Sequence, residues 1–183
     1  MTSRPFDPRA LDVAAFAVQG GALHGAWRQR DMPRLLSATH DGGSGADNAV
    51  DWRAGGERTP PRGSLPQTWL RLALSTRVVL TCQRCLGALD LAVDAERRFG
   101  FVEGEAEAAA LDADSDDDVL ALERTLDLQS LAEDELLLAL PLVPMHDACE
   151  APLVRGEGGE GDEAEAAPEH PFAALAALKR AGH

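Results

Sequence analysis

Residues 70–101 read LRLALSTRVVLTCQRCLGALDLAVDAERRFGF, and their periodicity decides the fold. Leu70, Leu72, Leu74, Val78, Leu80 and Cys82 occupy even positions and alternate with Arg71, Ser75, Arg77 and Thr81. Successive side chains of a strand point to opposite faces, so a period of two marks a strand with one buried face. After CQRCLG the apolar phase moves to odd positions, Leu89, Leu91, Val93, Phe99 and Phe101, set against Asp90, Asp94, Glu96 and Arg98. Two such runs joined by a short glycine-containing connection predict a long antiparallel β-hairpin with Cys-x-x-Cys at its tip.

Outward from the hairpin, residues 8–18 predict a helix ended by Gly20 and Gly21, and Pro33 opens a short helix over 34–39. Residues 40–47 read as a loop, 49–54 as a strand, and 55–64, with paired prolines, as another loop. Beyond the hairpin, 119–125 is a candidate strand. Asp127 can cap a helix that runs to about residue 140, with an apolar face of Leu128, Leu131, Ala132, Leu138 and Ala139; Pro141 stops it. The expected class is α+β, an antiparallel sheet built around the hairpin with a packed helix and disordered acidic loop and tail.

Charge divides the chain. The net charge is −14, from 17 basic and 31 acidic residues, yet residues 1–100 hold 13 basic and 10 acidic side chains. The acidity therefore belongs to the second part. Residues 103–118 contain eight acids and no base, and 155–169 contain six acids, one base and several glycines. Such blocks bury too little apolar surface to offset chain entropy, so both are expected to be disordered. The implied organisation is one domain over 1–150, an acidic linker over 151–169, and a short apolar segment over 170–183. In that last segment Phe172, Leu175 and Leu178 recur every three residues, as a docking stripe for a partner would. No basic-then-apolar leader opens the chain, and the apolar run 136–145 is cut by Pro141 and Pro144. A soluble, cytoplasmic protein without a membrane partner is expected.

Three cysteines occur, Cys82 and Cys85 in the hairpin tip and Cys149 in a His-x-x-Cys with His146. Thiolates and imidazole suit zinc, and two pairs of them are the donor count of a tetrahedral site. The competing structural reading packs Cys82 in the core, leaves Cys85 at a turn and uses His146 to cap the helix. A thioredoxin-like redox pair fits poorly, because that pair needs a helix N-terminus and here a strand-like run surrounds it. Arg71, Arg77, Arg84, Arg97 and Arg98 are candidate contacts for RNA or another partner, since arginine binds phosphate through two parallel bonds. Glu133, Asp134 and Glu135 read as a solvated helix face, with Glu135 meeting a hairpin arginine, rather than as catalytic carboxylates. No phosphate-binding loop, dinucleotide fingerprint or HExxH is present.

Four blocks in order, FDP (6–8), LTCQRCLGAL (80–89), DLQSLAEDELLLALPLVPMHDAC (127–149) and PFAALAALK (171–179), resemble the YceD family. These are the large ribosomal RNA subunit accumulation proteins of bacteria and plastids; residues 133–149 carry the most specific part of the likeness. The resemblance implies a role in synthesis, processing or stability of large-subunit (23S) ribosomal RNA, in ribosome biogenesis. Its partners would be that RNA, a ribosomal protein or an assembly factor. With four candidate ligands, the expectation is a non-enzymatic factor holding one structural zinc; a metal-dependent RNA-processing hydrolase is the alternative.

Overall fold

Strands β3 (Thr68–Thr81) and β4 (Ala88–Val102) form the long antiparallel hairpin, paired from Thr68↔Phe101 to Thr81↔Ala88. The computed structural model describes residues 6–60 and 67–149; the acidic linker over 151–169 and the docking segment over 170–183 lie outside the described residues. Before the hairpin come α1 (Val13–Val18), β1 (Ala22–Arg28), α2 (Pro33–Ala38) and β2 (Ala49–Arg58). After it come α3 (Glu105–Asp112), β5 (Asp118–Ala121) and α4 (Leu128–Ala139). The five strands lie in the order of their numbers; β1 to β4 are antiparallel neighbours, and β5 joins β4 in parallel. The class is α+β. No helix among the described residues is long and apolar enough to cross a membrane.

Alternation places the apolar residues of the hairpin on one face. Leu70 stands opposite Phe99, Thr76 opposite Val93 and Leu80 opposite Leu89, all buried. Helix α1 covers that face over β2 and β3 through Val13 and Phe16, and α4 covers it over β3 and β4 through Leu128, Ala132 and Leu136. Each of the larger side chains among them contributes roughly 1.5–3 kcal/mol by leaving water. Asp127 caps α4 as expected, its Oδ1 accepting from the N–H of Gln129 at 3.0 Å and of Ser130 at 3.2 Å.

Four features of the structure depart from or go beyond the reading of the sequence. The acidic run 103–118 is not a structureless loop. Its Ala- and Glu-rich middle forms α3, with Glu105 and Glu107 in the first turn, where negative charge suits the helix dipole, and with Ala108 buried. Asp112 then accepts from the N–H of Val119 at 2.8 Å, which fixes the entry into β5. Second, Gly55–Arg58 continues β2 instead of opening a loop. A Cβ on Gly56 would lie 2.7 Å from the Phe16 ring and 2.9 Å from the α1 backbone, so glycine here permits close packing. Third, β1 escapes a periodicity search because none of its side chains is buried and Gly25 interrupts the pattern. That glycine makes room for Trp52, on which Trp27 stacks at 4.5 Å.

The fourth departure concerns α4. Leu138 and Ala139 are exposed, while Leu136 completes the buried row, as four-residue spacing from Leu128 and Ala132 requires. Glu133 and Glu135 are buried rather than solvated. Glu135 does meet a hairpin arginine, Arg97, at 3.2 Å. Burial pushes its carboxyl above the ordinary value, and the Arg97 charge opposes that rise. Glu133 has a different task. Helix α2 has no side-chain cap of its own, and the Glu133 carboxylate supplies one, accepting from the N–H of Arg34 at 2.6 Å and of Leu35 at 3.0 Å. The Arg34 guanidinium completes the arrangement, 3.1 Å from Glu133 through Nε and also bonded to Asp134. Glu133→Ala is expected to lower unfolding free energy by about 2–4 kcal/mol in denaturant titration, because two backbone N–H donors lose their acceptor and a charge-assisted bond is lost with them. Asp134→Ala, at the exposed end of the same network, should cost less than about 1 kcal/mol.

Candidate metal centre

The hairpin tip is tightly turned. Cys82 donates its N–H to Gly87 O and Leu86 donates to Cys82 O, both at 2.9 Å, and Leu86 takes a positive φ of 61°. This closes a turn that presents both sulfurs on one side. At the other end, α4 stops at Leu140 because Pro141 lacks an N–H and disfavours a helical residue before it. The following chain returns to the tip, where Gln83 donates its N–H to Pro144 O at 2.8 Å. His146 and Cys149 are thereby delivered to Cys82 and Cys85 across about sixty residues of sequence.

The four donor atoms all lie within 4.8 Å of one another. Cys82 Sγ is 3.9 Å from Cys149 Sγ, and Cys85 Sγ is 3.4 Å from His146 Nδ1. Tetrahedral zinc with bonds of about 2.3 Å to sulfur and about 2.0 Å to nitrogen separates its ligands by about 3.8 Å for S···S and about 3.5 Å for S···N. The two spacings match that geometry, and the cysteines are not bridged by a disulfide. His146 Nε2 lies 3.0 Å from Ala88 O, the partner expected to orient a metal-binding imidazole and leave Nδ1 as the donor. The cluster could hold a metal ion. His146 does not cap α4, whose C-cap is Leu140.

Electrostatics favours thiolate. Burial pushes the Cys82 thiol up, but the backbone N–H groups of His146, Cys85 and Arg84, with the Cys85 side chain, outweigh it and bring it down to about 5. The hydrogen bond to Cys85, and then that to Cys82, raise the His146 imidazole. Hydrogen bonding to Cys149 raises Arg84 further above its ordinary value.

The five candidate arginines do not share one face. Arg71 and Arg98 stand opposite each other on the sheet surface; Arg71 pairs with Glu96 at 3.9 Å, and Arg98 pairs with Asp117 at 3.1 Å while lying 3.7 Å above the Trp69 ring. Arg77 pairs with Asp90 at 3.0 Å. Arg97 falls opposite Leu72 on the helix-covered side, bound to Glu135. Arg84 turns into the Cys/His cluster, its Nε 3.1 Å from Cys149 Sγ. Sequence reasoning missed the backbone carbonyls of Ala88 and Pro144, which carry no side-chain signal. The phase of Arg97 was available, since it shares odd numbering with Val93 and Phe99.

Fold and site together define an α+β protein whose hairpin tip and helix exit meet in a thiolate-rich cluster. Residues 70–179 match the family model of the large ribosomal RNA subunit accumulation protein YceD, and the chain belongs to that family. The match spans both ligand pairs. No solved structure matches the chain.

Cobalt(II) added to reduced full-length protein is expected to give the intense near-ultraviolet band of thiolate-to-metal charge transfer at about one ion per chain. Cys82→Ser or Cys149→Ser should weaken binding at least tenfold. Binding should weaken as pH falls, because the thiolates must shed protons to ligate.

Proposed function

We propose that this chain is a non-enzymatic, cytoplasmic factor for the accumulation of large-subunit ribosomal RNA, with its hairpin tip closed by one structural zinc. The observation that carries the reading is the donor count. Cys82, Cys85, His146 and Cys149 supply all four positions of a tetrahedral ion, whereas a catalytic zinc keeps one position for water or substrate. This weighs against the alternative, a metal-dependent RNA-processing hydrolase. The three free thiols also suit a reducing compartment.

Charge supports a basic large-subunit protein as the direct partner rather than bare RNA. The chain carries −14 overall, and Arg71, Arg77, Arg97 and Arg98 each already face an acid. A negative surface steers toward a positive one and raises the encounter rate. The apolar stripe of Phe172, Leu175 and Leu178 serves as the second contact, a short docking segment on a long acidic tether.

Complementation tests the reading. Cells lacking this chain are expected to show a lower ratio of large- to small-subunit ribosomal RNA, restored by the wild-type chain. His146→Cys keeps four zinc ligands and should restore it too. Removing residues 170–183 should fail to restore it while leaving the melting temperature unchanged. A zinc-loaded His146→Cys protein that cannot complement, or purified wild-type protein that cuts a ribosomal RNA transcript, would favour the hydrolase.

A further inference from the structure

The middle residues of a Cys-x-x-Cys turn ordinarily face solvent, and a bare hairpin tip places no demand for arginine there. Arg84 nonetheless folds back. Its Nε donates to Cys149 Sγ at 3.1 Å, and its Nη2 donates to the carbonyls of His146 at 2.6 Å and Asp147 at 3.4 Å. One side chain from the first ligand pair therefore grips both the sulfur and the backbone of the second. Among the described residues, His146 is also held, through Nε2 3.0 Å from Ala88 O and through its N–H 3.5 Å from Cys82 Sγ, but Cys149 has fewer such contacts. From residue 141 to 149 no side chain is buried, and Leu142, Val143 and Met145 are largely exposed. Among the described residues apolar packing does not keep Cys149 in place, so the segment relies on polar contacts: the Gln83–Pro144 backbone bond, the His146 bonds to Ala88 O and the cysteine sulfurs, and, nearest Cys149, the Arg84 fork.

Charge gives the fork a second task. Three thiolates and a neutral imidazole around a divalent ion leave one net negative charge, and Arg84 brings one positive charge against Cys149, one of the two half-buried sulfurs. An N–H···S bond draws electron density from a thiolate without protonating it, which leaves the sulfur a ligand but a poorer nucleophile.

We propose that Arg84 is a positioning residue of the metal centre, one that seats the Cys149 thiolate for ligation and shields it from electrophiles, and that it is not a free phosphate contact. The inference rests on the reading of the cluster as a metal site.

The experiment uses full-length, zinc-loaded protein carrying Arg84→Met or Arg84→Lys, with folding checked by circular dichroism. Competition against a chromophoric chelator should show Arg84→Met releasing zinc about 10–100-fold more readily than wild type, as loss of an outer-shell partner does. Arg84→Lys should recover part of the affinity, since it restores charge but not the planar fork. If the methionine variant does not fold, the lysine variant alone decides, its intermediate affinity supporting the proposal and wild-type affinity overturning it. Iodoacetamide labelling read by mass spectrometry supplies a signature that general loosening would not give. Cys149 should be alkylated several-fold faster in Arg84→Met, with Cys82 unchanged. Equal zinc retention and equal Cys149 protection in wild type and Arg84→Met would overturn the role of Arg84 while leaving the metal centre standing. Failure of the wild-type protein to bind zinc or cobalt would overturn both.

Discussion

The register between β3 and β4 is the constraint on which the rest of this structure depends. Side chains alternate every residue, so a slip of one position would send Leu70, Leu72, Leu74, Val78 and Leu80 to the opposite face and leave α1 and α4 nothing to cover. The same register sets where the strands end. Thr81 pairs with Ala88, and the six residues between them form the turn that presents Cys82 and Cys85. Core formation and site formation are thus one event: burying the apolar face positions half of the ligand set.

The chain leaving helix α4 supplies the other half, and that helix is held by more than its apolar row. Two of its acids are buried and both reach distant elements, Glu133 to the start of α2 and Glu135 to Arg97 on β4. A buried carboxylate is costly unless its oxygens are bonded, so these contacts fix the rotation of the helix about its axis. That rotation sets the direction in which Leu140 and Pro141 release the chain, and hence whether His146 and Cys149 arrive at the hairpin tip. The acids that read on paper as a solvated face are part of what aims His146 and Cys149 at the hairpin tip.

The cluster lies at one end of the sheet, remote from the α3–β5 edge where the acidic run folds. Division of labour follows from composition. The apolar hairpin and α4 hold the thiol-rich end, while Ala- and Glu-rich α3 packs lightly through Ala108 and leaves its acids in solvent. Near the cluster the polar contacts come from chain segments that bury little, so hydrogen bonds such as those of the Arg84 fork take over there what packing does elsewhere.

The hairpin, its tip, the α4 cap at Asp127 and the four residues of the Cys/His cluster were legible in the sequence, because each is written in local pattern: period two, Cys-x-x-Cys, an acid before an apolar helix, a proline after it. The convergence of Cys85 and His146 was expected only from donor chemistry, since no local rule relates residues about sixty positions apart, and the fold brings it about. Gly56 reads as part of a loop, yet it serves close approach by Phe16, as Gly25 serves that by Trp52, which only three-dimensional packing can demand. Glu133 and Arg84 show the same limit. A charged side chain ordinarily favours water, and whether it turns inward depends on finding bonding partners there. For Glu133 those partners are the bare backbone donors of α2, and for Arg84 the sulfur and carbonyls of the returning chain. Tertiary structure alone brings such partners within reach.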